Sequence, residues 1–426
     1  MSIKDRLARL DSTKEPPAQQ TPEVEDWILD LQRELDIKVL REEKSFILLK
    51  ENIYPLYQEP YFAALRTNGF EVNYLHRITS DLPAAPLEKE TTTNLKHALF
   101  IDTETTGLAG GTGTYPFLIG VGHLELDHIV VRQYLLPDFG HEWLMLTHLE
   151  RLLRDFQFTV SFNGKSFDIP LLKNRFILNR MMTVLEDISH VDVLHAARRI
   201  WRLRLPACDL QSLEKHILQK HRIGDIPGEL IPQIYFEFIR KREALHLRDV
   251  LEHNYHDIVN MVLLTIKIAA ICESPVEHLI HEEDQFSLAK YYFQNKQYDE
   301  SILLLENIVE NSTAIEKSRL RNQAMFLLSM VYKKIGQPGA AKQHLQKLLE
   351  NQVYDPAVIE ELAKFYEHED KDFACAKEVV EKGLQYLETI RQLDMRSDLL
   401  KYIPQLKHRQ QRILRKLSKH SSPRKD

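Results

Sequence analysis

Cysteine is scarce in this chain. Its three copies, Cys208, Cys272 and Cys375, lie far apart among 426 residues. A scattered, odd-numbered set supplies neither a disulfide framework nor the paired spacing of a zinc motif, and it suits a reducing, cytoplasmic setting. No apolar run approaches the length that spans a membrane, so no membrane association is expected. The stretch Met1–Leu7 lacks the apolar core of a secretory signal. Excess positive charge is also missing: 56 Lys and Arg stand against 62 Asp and Glu, a formal net charge of −6. That excludes a uniformly basic nucleic-acid coat but leaves room for local basic patches, which are what phosphate contacts need. Gly110-Gly-Thr-Gly113 lacks the Gly-Lys-Ser/Thr ending of a nucleotide-binding loop. The paired motifs of a zinc deaminase are absent, as is any serine or cysteine nucleophile constellation.

What is present is an ordinary globular balance, 43% hydrophobic and 28% charged residues, in a chain long enough for two or three domains. Residues 1–25 read as a flexible, partly Pro-rich N-terminus, and 26–94 as an extension and linker whose short apolar segments pack onto the next domain. Residues 95–275 alternate strand and helix signals. Strands are predicted at 97–102, 116–126, 129–136 and 158–162, and helices at 141–156, from 167 to about 181, and at 246–272. That order predicts an α/β domain with a mixed sheet flanked by helices. From residue 284 to 390 the strand signal stops. Leu288-Ala-Lys-Tyr-Tyr292, Leu328-Ser-Met-Val-Tyr332 and Leu362-Ala-Lys-Phe-Tyr366 recur at the period of tetratricopeptide-like helical hairpins, a pattern that a degenerate helical bundle shares. Residues 391–426 read as a basic, exposed helix and tail.

The densest chemistry lies at Phe100-Ile-Asp102-Thr-Glu104-Thr-Thr-Gly107. Alternate strand residues point to one side, so Asp102 and Glu104 project together and repel unless a cation sits between them. Asp168 follows an Asn163-Gly break at a helix start, a position that also suits a helix cap. His253 and Asp257, four apart, share a helix face. Four carboxylates of this kind can hold two Mg²⁺ or Mn²⁺ ions, since hard cations take oxygen ligands. A neighbouring histidine can take a proton from water near neutral pH.

These segments, Phe100–Gly107, Phe162–Asp168 and His253–Asp257, resemble the three motifs of the DEDD exonuclease superfamily, with its ribonuclease-H-like fold. With Leu108–Thr114, Asp225–Pro232 and the helical-repeat tail, they resemble the YprB/MrfB-like exonucleases of Gram-positive bacteria. The resemblance implies a metal-dependent 3′→5′ exonuclease acting on DNA in repair, with RNA as the alternative substrate and a non-catalytic scaffold as the other. It implies that Asp102 bridges two metals, that Glu104 and Asp257 complete the nucleophile-side ion, and that Asp168 serves the leaving-group ion. It also implies His253 as the base, although related enzymes often place the histidine five residues before the last Asp, where Glu252 stands here. A helicase partner through the repeat domain is a further family-level expectation.

Substrate contacts are expected from the Gly-rich loop, with Leu108 as a wedge against the terminal base or a core residue, and Thr112 nearby. Asn163 and Lys165 lie close to Asp168 and suit phosphates, although a lysine there is equally a solvated surface residue. Arg198, Arg199 and Arg202, with Trp201 and Arg204, combine charge and an aromatic ring for backbone contact and stacking, or form a basic surface helix. Asp192 ends another strand signal and reads either as support for the metal site or as a turn residue.

Overall fold

A computed structural model of the chain describes residues 26–59, 71–72, 75, 78–79, 93–107, 113–244, 246–311 and 318–420. The N-terminal lead-in, most of the linker, Leu108, Thr112 and the end of the basic tail lie outside these residues. The chain divides into two compact units, Met1–Leu194 with Asp209–Lys267, and His195–Cys208 with Ile268–Asp426.

The first unit opens with α1 (Asp26–Leu35), β1 (Lys38–Glu42) and β2 (Ser45–Pro55). It continues through β3 (Ala98–Thr105), β4 (Pro116–Glu125), β5 (His128–Leu135), α2 (Glu142–Leu153), β6 (Phe158–Ser161), α3 (Asp168–Leu178) and β7 (Ser189–Asp192). The chain then forms α4 (Val193–Trp201), which from His195 onward belongs to the second unit. It returns to the first with α5 (Ile231–Lys241) and the long α6 (Leu247–Glu273), whose last residues from Ile268 again belong to the second. One seven-stranded sheet runs β1-β2-β5-β4-β3-β6-β7. β3, β6 and β7 are parallel neighbours, and the remaining pairs are antiparallel. This is the mixed sheet with flanking helices that the pattern predicts, its elements displaced by a few residues at most. The β1–β2 hairpin extends that sheet: β2 pairs with β5 from Leu48↔Leu135 to Pro55↔His128.

One face of the sheet is covered by a continuous apolar cluster. Trp27 and Leu31 of α1 meet Leu99 and Ile101 of β3, Phe117 and Ile119 of β4, Leu149 of α2, Phe176 of α3 and Tyr235 of α5. The alternation of β3 sends Phe100, Asp102 and Glu104 to the other face, toward α6. By length and composition α6 is apolar enough to cross a membrane, contrary to the expectation that no run approaches that length. Yet 72% of its most apolar stretch is buried inside the protein, as in a core helix. Most of its charged and polar side chains are crowded into the first three turns, and beyond Asp257 only Asn260, Thr265, Lys267 and Glu273 interrupt the apolar run.

The second unit is helical. Three successive pairs, α7 (Glu282–Gln294) with α8 (Tyr298–Asn311), α9 (Ser318–Lys334) with α10 (Pro338–Glu350), and α11 (Pro356–Lys364) with α12 (Phe373–Leu393), are closed by α13 (Ile403–His420). Leu288, Leu328 and Leu362, the repeated leucines, are all fully buried. The basic C-terminal segment is a helix with Lys407, His408 and Arg415 exposed, as expected, but three of its cations have an internal partner. Arg409, Arg412 and Lys416 of α13 turn toward Glu367, whose side chain is completely buried, so these cations neutralise an internal charge.

Candidate metal centre

The site is assembled where β3 ends beside α3 and the first turns of α6. Asp102 lies opposite Gly120 on β4, and Gly120 lies opposite Gln133 on β5, so the three form one row across the sheet. Asn254 of α6 sits over the middle of that row. Its Nδ2 donates to Asp102 Oδ2 (2.7 Å), and its Oδ1 accepts from Gln133 Nε2 (2.9 Å). Glycine at 120 makes this approach possible: a Cβ there would stand 2.1 Å from Asn254 Oδ1. Both Asn254 and Gln133 are fully buried, so the amide orientation is set by its two partners.

Asp168 is the first residue of α3, and Phe167 flanks the helix start. Its Oδ1 accepts from the Thr103 backbone N–H (3.1 Å) and from Thr103 Oγ1 (2.5 Å), which ties α3 to β3 between the two acids. The turn before it is held by Asp192, which accepts from the backbone N–H groups of Asn163 (2.8 Å), Lys165 (3.1 Å) and Leu194 (3.1 Å). Asn163 takes the left-handed conformation (φ 64°), which asparagine tolerates better than most residues. Asp192 therefore shapes the turn that delivers Asp168.

His253 and Asp257 enter from α6. His253 Nε2 lies 3.4 Å from Asp257 Oδ2 and 4.0 Å from Glu104 Oε1. Ligand atoms of Glu104, His253 and Asp257 all fall within 4.8 Å of one another. Glu252 and His256 are exposed, so the helix register sends His253 into the cluster. Three further residues complete the surroundings: Glu214 and Arg222, which the sequence did not mark, and Asp225, which opens a segment that the resemblance marked without giving it a role. Arg222 pairs with Asp257, with Glu214 and with Asp225 (3.2 Å), and Asp225 Oδ1 accepts from His253 Nδ1 (2.7 Å).

The electrostatics follow from this crowding. Burial pushes Asp102 well above the usual carboxylate range, and the charges of Asp257, Asp168 and Glu104 push it further. Glu104 rises to about 7, chiefly through burial, with His253 opposing and Asp257 and Asp168 adding to the rise. Asp168 rises to about 6 through burial, against the pull of its Thr103 hydrogen bonds. Burial alone would lower His253, but Asp257, Glu104 and Asp225 outweigh it and raise its pKa. Arg222 and His253 are too few cations for six carboxylates, and the donors that remain are hard oxygens. Asp102, Glu104, Asp168 and Asp257 thus fit divalent cations such as Mg²⁺ or Mn²⁺.

A cavity of about 740 Å³ opens onto Asp102, Glu104 and Asp168, with Asn163, Phe167 and Gly228 in its walls. Phe167 is 58% exposed at this cavity, and Lys165 is exposed on the same turn. Arg198, Arg199 and Arg202 belong to the second unit. Arg198 and Arg202 are exposed, whereas Arg199 stacks on Tyr291 at 4.7 Å. Trp201 is 1% exposed and Arg204 is doubly bonded to Asp284, so neither is available for base stacking or phosphate contact. Packing of the apolar face of α4 takes the ring into the core.

The RNase_H superfamily profile matches residues 99–269. The uncharacterized protein YprB of Bacillus subtilis (strain 168) is 36% identical over 300 residues, covering 68% of this chain and 70% of that one. RNase H-like nucleases are nucleic-acid hydrolases that use divalent metals. The matched segment contains β3, the Asp168 turn and the start of α6, that is, every element of the acidic cluster. The chain belongs to the RNase H superfamily, in the family that includes YprB.

Proposed function

We propose that the protein is a metal-dependent 3′→5′ exonuclease acting on DNA, in a repair setting in the cytoplasm. The observation that carries this reading is the convergence of Asp102, Glu104, Asp168 and Asp257 beside His253, with three of the acids held above their ordinary pKa by burial and mutual repulsion. Asp102 would be shared between two ions, Glu104 and Asp257 would complete one, and Asp168 would serve the other. When bound, two Mg²⁺ or Mn²⁺ ions would supply charge neutralisation at the scissile phosphate and lower the pKa of the attacking water.

The remaining work belongs to the side chains. Asn254 aims one Asp102 oxygen, and Thr103 aims one Asp168 oxygen, so the acids are held rigidly before any ion arrives. His253 accepts the water proton at Nε2, the nitrogen that faces Glu104 and Asp257. Asn163 and the exposed ring of Phe167 border the cavity that a chain terminus would enter, with the ring suited to stacking on a base, and Lys165 is exposed on the same turn. The helical pairs of the second unit are proposed to be tetratricopeptide-like and to bind a partner or nucleic acid on their surface.

The deciding experiment incubates the full chain with 5′-labelled single- and double-stranded DNA and RNA in Mg²⁺, Mn²⁺ or EDTA. A ladder of DNA products shortening from the 3′ end, absent in Asp168→Ala, is expected. Preferential shortening of RNA would move the substrate class, and internal cleavage would refute exonuclease action.

A further inference from the structure

We propose that Asp225 is a positioning residue for His253: its carboxylate holds the imidazole in the Nδ1–H tautomer and leaves Nε2 open toward Glu104 and Asp257. The inference rests on the reading of His253 as proton acceptor. Asp225 Oδ1 accepts from His253 Nδ1 (2.7 Å) and from the Ile226 backbone N–H (3.0 Å). Its Oδ2 accepts from Arg222 Nη1 and Gln211 Nε2, each at 3.2 Å. Every named neighbour of the two oxygens is a donor, which an acceptor-only carboxylate satisfies and an amide cannot.

The chain around Asp225 serves that placement. Gly224 has φ +76°, a left-handed turn that brings Arg222 and Asp225 back into one cluster. Arg222 also bonds Asp257 and Glu214, so the group that steadies Asp225 also steadies the last acid of the metal set. Ile223 between them is 99% exposed, so the segment is held in place through its charged side chains. An imidazole fixed at one nitrogen presents the other in a single orientation, and loss of such a support typically costs 10- to 100-fold in metal affinity or activity.

The test compares wild type, Asp225→Ala, Asp225→Asn, His253→Ala and the Asp225→Ala/His253→Ala double variant. Turnover and KM are measured on a 5′-labelled oligonucleotide with Mn²⁺, alongside the His253 tautomer by ¹⁵N-imidazole NMR of the metal-free protein at alkaline pH. Asp225→Ala is expected to lower kcat roughly 10- to 100-fold with little change in KM, to add no loss on top of His253→Ala, and to release the Nε2–H tautomer. Asp225→Asn, close in shape, is expected to disturb the tautomer too, and it stands in if the alanine variant does not fold. Multiplying losses in the double variant, or an unchanged tautomer in either single variant, would overturn the assignment. If the wild-type chain cuts no nucleic acid, the nuclease reading fails while the tautomer still decides the role of Asp225.

Discussion

Asp102 depends on a residue that carries no charge. Asn254 reads Asp102 as an acceptor and Gln133 as a donor, and no other residue type of similar size does both in that orientation. Asn254→Ala should therefore cost about 1–3 kcal/mol by chemical denaturation, because a buried acceptor and a buried donor lose their partner. The acids make a second prediction. Glu104 and Asp168 hold protons to higher pH in the fold than in the unfolded chain. The folded state then binds more protons between the ordinary carboxylate range and about pH 7, so the stability these groups contribute falls as pH rises through that window. In EDTA, Glu104→Gln should thus gain thermal stability over wild type at pH 7.5 and little at pH 4.5, and Mn²⁺ should remove or reverse the gain. A variant difference that does not change with pH would count against the repulsion. The acids were legible in the sequence because each ends a strand signal or starts a helix signal. Asn254 and Asp225 fell within segments that the resemblance marked, but their roles were not legible, and Arg222 was not marked at all, because the partners of all three are set by tertiary packing and a charged loop on its own reads as a solvated one.

Among the elements, β3, β4, β5 and α6 act as one device. The row Asp102–Gly120–Gln133 exists only because the antiparallel register places those residues side by side. Gly120→Ala should drive Asn254 away from the strand, costing about 1–3 kcal/mol as an overpacked contact and lowering metal-dependent activity more than it lowers stability. Restored activity in that variant without movement of Asn254 would contradict the role of the row. Asp192→Ala should release the Asn163 turn and lower turnover through Asp168, visible as weaker metal binding. The strands 98–105, 116–125, 128–135 and 158–161 were legible because each carries an apolar run bounded by turn residues. The β1–β2 hairpin was not, since its pairing partner, β5, lies some eighty residues away and only the fold supplies it.

For the molecule as a whole, the two compact units carry different kinds of charge chemistry. The first leaves acids in excess. The second buries Glu367 against Arg409, Arg412 and Lys416; burial alone would raise the pKa of this carboxyl, but the cations pull it down to about 2. Glu367→Ala removes the anion these cations share and should destabilise the second unit by about 1–3 kcal/mol, less than a fully buried pair would cost, because Arg412 and Lys416 are 41% and 36% exposed and Arg409 keeps Glu360. Scanning calorimetry should show a lowered transition for that unit, while Mn²⁺ raises the transition of the first. Metal occupancy is the claim on which the other assignments depend. Titration of the EDTA-stripped full chain with Mn²⁺, followed by calorimetry or by the paramagnetic signal of the free ion, measures it directly. Saturable uptake of two ions per chain is expected, largely abolished in Asp102→Ala. An absence of saturable uptake, or uptake unchanged in Asp102→Ala, would contradict the assignment of the acidic cluster.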